Sequence, residues 1–496
     1  MLSDELTRSS DGANERRAQT RNDSRVSVHA DAMAQVVSAP RLVAGLDLGS
    51  TGMKVLVTDR TGIELVTAQV PTPWRQRGDW TDLDAEALLR AVHAVIASAA
   101  AGVAELTDAP VEVVAVAGMG ETGMLVDEGG RVMAPAMAWF DPRGAEQASA
   151  FPVSLRESFA GQTGLPLGAQ VTVAKLAYLR DNGLRLRGLR WLNLPEFVTM
   201  SLGGIVALEH SLTSRTGLVQ QVSDQPWAAM LAELGCSTEF LPPRQAAGSD
   251  FGIAASTRLP ENFRGARLTI AGHDHLVAAE ANGPLPSDHY HVSMGTAEVL
   301  LRVIDRPLSV QARARLAGCL INEVRHVVPG KRVLVAGVKS GLLMRRMLQA
   351  TGIHDRAGRD RLDAEVMALP YEGDLGHGVE VSGARNDDGV LQIAVRSDGV
   401  SPGELFAAAL RHSNDEIALL ISAMNQELPP AQTSTLTGGW AGMAAVRRAR
   451  DRVLPHMTVS TREQETAFGA ARVASRLLPD SPMQPTNVLP HKRSKT

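Results

Sequence analysis

Aromatic side chains are scarce in this chain of 496 residues: nine Phe, six Trp and three Tyr make up 4 % of it. That argues against a protein that stacks bases on many aromatic platforms. Cysteine is scarcer still. Cys236 and Cys319 are the only two, which argues against a disulfide scaffold and fits a reducing compartment, the cytoplasm being expected. An excess of charge is also missing: 50 basic side chains against 54 acidic ones give a net charge of −4, so there is no polyanion-binding signature. No run of about 18 or more apolar residues occurs, and no helical membrane span is expected. The most apolar window, AVHAVIASAAAGVA from Ala91, reads as one buried helix. The first 40 residues mix acidic, basic and small polar side chains without an apolar stretch. They do not read as a secretory signal and are expected to be a disordered extension, with a second flexible tail at 480–496.

What is present is ordinary globular material, 44 % hydrophobic and 21 % charged. The length allows about three average domains or two large ones. RLVAGLDLGS and MKVLVTD read as two strands joined by a Gly-Ser-Thr-Gly turn. TDLDAEALLRAVHAVIASAA predicts a helix opening at Thr81, with an acidic first turn. VEVVAVAGM predicts a buried strand and MLVDEGGRVM a hairpin. After a Pro- and Gly-containing connection at 283–288, HVSMGTAEVLLRVI repeats the strand, small-residue turn, strand unit. The chain therefore hints at two similar lobes. Helices are expected at SGLLMRRMLQATG and PGELFAAALRHSNDEIALLISAMNQ, and TSTLTGGWAGMAAVRRARDRVL predicts a strand entering a Gly-Gly turn that opens a helix.

Five places carry residues suited to chemistry. DLGSTGMK puts Asp47 at a strand end before a turn of small residues. Amides and hydroxyls of Gly49, Ser50 and Thr51 suit phosphate oxygens, the carboxylate suits magnesium, and Lys54 adds positive charge. The Walker spacing is absent, and the segment alone reads equally as a hairpin turn. SMGTAE, with Gly295 and Thr296, is a second small-residue turn. In TGGWAG, Gly438 and Gly439 would let a flat ligand approach the backbone, beside Trp440. AGHDHLVAAE places Asp274 at the end of a strand pattern, where a general base belongs. The competing reading there is a zinc or iron site built from His273, Asp274, His275, His289 and His291, though adjacent side chains do not converge easily on one ion. Finally, RGDWTDLD and AWFDPR set Trp80 and Trp139 beside carboxylates and Arg143. A Trp face suits the C–H surface of a sugar while Asp141 and Arg143 suit its hydroxyls; the bland reading is a core Trp beside a surface ion pair.

Taken together and in this order, these segments resemble the FGGY family of carbohydrate kinases over about residues 42–478. DLGSTGMK is similar to that family's first phosphate motif, WFDPR to its W-x-D-x-R sugar motif, and GHDH to the G-x-D segment with the catalytic aspartate. SMGTAE is similar to the second phosphate loop, TGGWAG to the adenosine segment, and ETAFGAA from Glu465 to the closing helix signature. The resemblance implies an α/β fold of two actin-like, ribonuclease-H-like lobes with a central cleft. An N-terminal lobe at 41–285 would carry the sugar and first phosphate sites, and a C-terminal lobe at 286–479 would bind ATP. It implies that Asp274 accepts the proton of a sugar hydroxyl that attacks ATP in line, with ATP and Mg2+ required and Asp47 and Asp274 at the metal. Gly49, Ser50, Thr51, Lys54, Gly295 and Thr296 would hold phosphates, and Gly438, Gly439 and Trp440 the adenosine. Trp80, Glu121, Thr122, Trp139, Asp141, Arg143 and Asp274 would meet the sugar.

The substrate loop departs from the best-known relatives. Where xylulose kinases of the family carry Gln-Met-His-Gly, this chain reads AGMGETG; Glu121-Thr122 is similar to the glycerol kinase pattern, but Gly120 stands where that pattern has arginine. The G-E-R-x-P stretch is absent, and YEGDLGHG from Tyr371 is a poor stand-in. The expected activity is phosphorylation of a small sugar, a ketopentose or related polyol. The expected partner is that small molecule, with no nucleic acid and no membrane, and a homodimer is admissible. Two other readings are a metal-dependent phosphohydrolase built on the histidines at 273–291 and a non-catalytic nucleotide-binding regulator.

Overall fold

The structure, a computed structural model, describes residues 25–29, 40–370, 378–384, 392–460, 462 and 464–478. The tail at 480–496, most of the 1–40 extension and the YEGDLGHG segment up to residue 377 lie outside the described residues.

The first lobe is built on a six-stranded sheet: β1 (Arg25–Val28), β2 (Leu42–Leu48), β3 (Gly52–Asp59), β4 (Glu64–Pro71), β5 (Val111–Gly118) and β6 (Arg267–His273), in the order β1-β4-β3-β2-β5-β6. The near-continuous apolar run of β2 belongs to a strand covered on both faces, and all its residues are buried. β2 pairs antiparallel with β3 and parallel with β5, which pairs parallel with β6. Between β4 and β5 runs α1 (Ala85–Ala104), whose Leu88, Val92, Val95, Ile96, Ala99 and Val103 form one buried stripe at helical spacing against β3 and β4. Each large member of that stripe contributes roughly 1.5–3 kcal/mol by leaving water.

Two expectations are corrected here. The helix opens at Ala85, capped by Asp84, whose carboxylate accepts from the Ala87 amide at 2.9 Å. Thr81 lies instead in the strand Trp80–Leu83, because pairing with Trp74–Arg77 on one side and Ala136–Met137 on the other claims the backbone just before the helix. The N-terminal extension also contributes β1, zipped antiparallel along β4 from Arg25 opposite Gln69 to Val28 opposite Val66.

After β6 comes the short helix α2 (Asp274–Ala279), and then the second lobe. Its sheet comprises β7 (His289–Met294), β8 (Glu298–Ile304), β9 (Ile321–Arg325), β10 (Arg332–Val338), β11 (Thr433–Thr437) and β12 (Met457–Val459), in the order β9-β10-β8-β7-β11-β12. The pairings repeat those of the first sheet: β7 antiparallel to β8 and parallel to β11, and β11 parallel to β12. The helices α3 (Ser340–Ala350), α4 (Pro402–Asn425) and α5 (Ala444–Arg450) cover it, with Met344, Phe406, Ile417 and Val446 buried against Val292, Leu300 and Leu436. The last helix, α6 (Glu465–Ser475), returns to the first sheet. It lies so close to β2 that a side-chain carbon at Gly45 would fall 1.9 Å from the Ala467 carbonyl oxygen.

Candidate active site

The parallel strands of the first sheet end level with one another: Leu48 of β2 lies opposite Gly118 of β5, which lies opposite His273 of β6. The groups that follow or flank these ends converge at the carboxyl edge, the usual ligand position of such a sheet. Asp47 is 7 % exposed, and its Oδ1 is buried without a hydrogen-bond partner. Burial, then the charge of Asp274, pushes its pKa up to about 7, while Lys54, its cross-strand partner, pulls the other way. A buried carboxylate oxygen with no donor, near a second carboxylate, is a donor set that a divalent cation completes. These residues therefore fit magnesium.

The turn after β2 is held from behind. Thr72 Oγ1 donates to the Gly49 carbonyl at 2.6 Å and Trp74 Nε1 to the Ser50 carbonyl at 2.6 Å. With those carbonyls tied back, the exposed Thr51 and the half-buried Gly49 and Ser50 are presented to the outside. Asp274 opens α2, and its Oδ1 accepts from the His275 amide at 2.7 Å. His273 Nε2 lies 3.4 Å from the same oxygen. Burial, then the charges of Arg215 and His275, holds the His273 pKa well below 6.5, so its ring is neutral at pH 7. The His273 amide is anchored by Ser211 Oγ at 3.0 Å, and Ser211 in turn donates to Glu209 at 2.5 Å. Asp274 therefore follows a buried polar scaffold rather than a loop.

The residues expected to meet the sugar divide into two groups. Asp141 is 1 % exposed and fully engaged: it accepts from the Thr81 amide at 2.6 Å, the Arg143 amide at 2.9 Å, and Arg143 Nε and Nη2 at 2.8 and 2.7 Å. Against the cost of burial, these bonds lower its pKa. Arg143 also reaches Asp82 at 2.5 Å and lies 5.1 Å from the centre of the Trp80 ring. Asp141 thus works as a clasp that fixes Arg143 under Trp80. Thr122 is fully buried, and its hydroxyl has no partner. Trp139 packs partly against the first core, whereas Trp80 is 47 % exposed. Phe140, equally exposed, stands edge-on to both Trp74 and Trp139, at 5.9 and 5.3 Å. Glu121 holds a left-handed backbone, φ 62°, and pairs with Arg215.

In the second lobe the turn after β7 exposes Gly295 and Thr296. The Leu342 amide donates to the Thr296 carbonyl at 2.8 Å, and α3 approaches so closely that a side-chain carbon at Gly341 would lie 1.9 Å from the Gly295 oxygen. Gly438, at φ 92°, abuts the Met294 carbonyl, while Gly439 faces open space within 4 Å. Trp440 packs partly into the second core, 6.4 Å from Phe406.

Sequence reasoning singled out none of Arg215, Lys175 and Phe140 as a site residue, whereas the helix it expected at SGLLMRRMLQATG is α3. Lys175 donates to the Asp141 carbonyl at 2.9 Å, and burial lowers its pKa to about 8. None of these carries a local motif; only Phe140, inside WFDPR, lay next to a residue already singled out. The histidines do not gather around an ion: among the described residues no group of three or more His, Cys, Asp or Glu side chains is placed to hold one. His289 instead bonds Thr433 at 2.8 Å, and burial lowers the His291 pKa to about 3.

Residues 42–279 match the profile of the FGGY family of carbohydrate kinases, N-terminal domain. Over those residues the chain belongs to that family. It is 26 % identical over 355 residues to a glycerol kinase of Rhizorhabdus wittichii, covering 68 % of this chain and 67 % of that one. It is also 25 % identical to an L-fuculokinase of Escherichia coli, over 59 % of this chain and 63 % of the relative. In fold it is similar to a ligand-bound xylulose kinase from Lactobacillus acidophilus, with a TM-score of 0.77 at 14 % identity over 89 % of this chain and 90 % of that one. The Plasmodium falciparum glycerol kinase with ADP gives a TM-score of 0.76 at 15 % identity, over 89 % and 91 %. The FGGY kinase has the two-lobed actin-like fold expected of it and is an ATP-dependent phosphotransferase acting on a sugar hydroxyl.

Proposed function

We propose that this FGGY kinase phosphorylates a hydroxyl of a small sugar, a ketopentose or related polyol, in the cytoplasm, with the N-terminal lobe at 41–285 binding the sugar and the C-terminal lobe at 286–479 binding ATP. The observation that carries the reading is the pair of carboxylates at the edge of the first sheet. Asp274 is fixed by its neighbour's amide, and Asp47 is buried with an unpartnered oxygen.

Asp274 takes the proton of the acceptor hydroxyl as that oxygen attacks the γ-phosphorus, and the O–P bond to ADP breaks in line. The neutral ring of His273 lies beside Asp274 and adds no positive charge to the site. Asp47 and Asp274 would hold magnesium, which when bound neutralises phosphate charge. Gly49, Ser50, Thr51 and Lys54 meet the phosphates from one lobe, Gly295 and Thr296 from the other. Gly438 and Gly439 give the adenosine a flat approach, with Trp440 at the edge of that segment. Trp80, Trp139 and Arg143 shape the sugar side, with Asp141 acting through Arg143, and Glu121 with Thr122 closing its floor. Transfer to sugar rather than water requires the lobes to close.

The deciding experiment is coupled ADP release with glycerol, pentuloses, tetritols, hexuloses and aldonates as acceptors. Acceptor-dependent release with a small sugar or polyol is expected, and no release above background with any of them removes the reading. Compaction in small-angle scattering on adding the active acceptor with a non-hydrolysable ATP analogue is the second expected result.

A further inference from the structure

We infer that Arg215 supplies the hydrogen-bond donor of the acceptor pocket and, paired with Glu121, selects an uncharged acceptor carrying two neighbouring hydroxyls. The inference rests on the kinase reading above.

Arg215 lies in the turn that follows the short helix His210–Thr213 and is only 8 % exposed. Its Nε donates to Glu121 Oε1 at 2.6 Å, and its Nη2 pairs with the same oxygen. Its Nη1 is buried without a hydrogen-bond partner. A buried guanidinium nitrogen left without an acceptor is costly, by about 1–3 kcal/mol or more, and calls for a ligand. Because both contacts from Arg215 fall on one carboxylate oxygen, Glu121 Oε2 receives none of them. The ion pair thus offers one donor and one acceptor side by side, which is what two adjacent hydroxyls need, one accepting and the other donating.

The pair is next to the chemistry. A side-chain carbon at Gly120 would lie 2.7 Å from Arg215 Cδ, 3.0 Å from its Nε and 3.2 Å from His273 Cδ2. His273 in turn touches Asp274 at 3.4 Å. Gly120 is bare, then, because Arg215 fills the space beside it. Glu121 keeps its left-handed backbone with the help of Thr172 Oγ1, which donates to its carbonyl at 3.0 Å. An unfavourable conformation held in this way is common where a side chain must be aimed. The charges of Arg215 and Glu121 cancel, and a carboxylate on the acceptor would meet Glu121 as a like charge.

The test measures ADP release by the wild type and the variants Arg215→Ala, Arg215→Lys and Gly120→Ala. The acceptors are glycerol, D-xylulose, L-fuculose and D-gluconate, with the mono-deoxy analogue of whichever is used best. The wild type is expected to favour a neutral acceptor over D-gluconate and to discriminate against the deoxy analogue. Arg215→Ala should raise the acceptor KM about tenfold or more and abolish that discrimination, leaving the KM for ATP within about twofold. Gly120→Ala keeps both charges of the pair but displaces the guanidinium, so it should reproduce part of the KM effect. An acceptor KM unchanged in Arg215→Ala, an ATP KM rising in step with it, or a wild-type preference for D-gluconate would overturn the inference while leaving the kinase intact. A wild type that releases ADP with no acceptor overturns the kinase reading itself, and this inference with it.

Discussion

The two lobes offer the same hairpin twice. In the first, β2 and β3 are joined by Gly49, Ser50 and Thr51; in the second, β7 and β8 are joined by Gly295, Thr296 and Ala297. Aligned on their turns, Asp47 corresponds to Ser293 and Gly52 to Glu298. Beside its turn each hairpin buries a carboxylate, but in opposite states. Glu298 is fully buried and answered: Arg450 donates to both its oxygens at 2.6 Å and is itself bonded to Ser413 at 2.8 Å and to Asn414. Asp47 has an oxygen that nothing answers. A satisfied buried ion pair locks a fold, whereas an unsatisfied carboxylate is kept for something that arrives. The duplicated architecture answers one of these carboxylates and leaves the other open.

Substitutions should separate those two uses. The largest effect is expected from Asp274→Asn beside the first hairpin, where removing the base should lower kcat by about 10²–10⁴-fold without changing the unfolding midpoint. Retention of turnover in this variant would take Asp274 out of the base role. Asp47→Asn should also lower turnover strongly, yet leave the protein at least as stable in urea, because the variant no longer buries an unanswered charge. Loss of stability there would mean that Asp47 is as structural as Glu298.

The reverse pattern is expected in the second hairpin. Glu298→Gln strands the Arg450 guanidinium and should cost about 3–5 kcal/mol in denaturant unfolding, while the folded fraction keeps its kcat. A drop in kcat without a drop in stability would erase the contrast between the lobes. A smaller effect concerns acid. Burial holds the His326 pKa near 4 against 6.5 unfolded, so between those values the unfolded chain binds the extra proton. Stability should therefore fall as pH drops from 6.5 towards 4, with His326 contributing up to roughly 3 kcal/mol. Glu323 opposes it, since burial raises its pKa to about 7 and the folded chain then gains a proton as pH falls. His326→Asn should flatten the loss measured by urea titration across that range, and an identical slope would remove His326 from the account.

Much of this was legible in the chain. The strand, turn, strand units at both hairpins and the buried stripe of α1 follow from apolar patterning, which needs only neighbours within one element. The order of motifs named the family because phosphate and sugar contacts come from short segments. What was not legible depends on distant contacts. The helix start shifted from Thr81 to Ala85 because strand pairing with 74–77 and 136–137 took precedence over local capping. The final helix carries a signature, but nothing in ETAFGAA states that it packs against β2. Arg215 is 94 residues from Glu121 and belongs to no motif singled out in advance.

Strand patterning and small-residue turns are local properties, so the chain alone sets Asp47 and Asp274 at or just after strand ends, and the order of its motifs carries the resemblance to a two-lobed kinase. Which carboxylates keep an open oxygen is settled by tertiary contacts. Asp141, Glu298 and Asp47 look alike in the chain. The first two are neutralised by Arg143 and Arg450, and the third is left with an open oxygen. That difference lies in which side chains surround a buried charge, and burial and partnership exist only once the chain has folded.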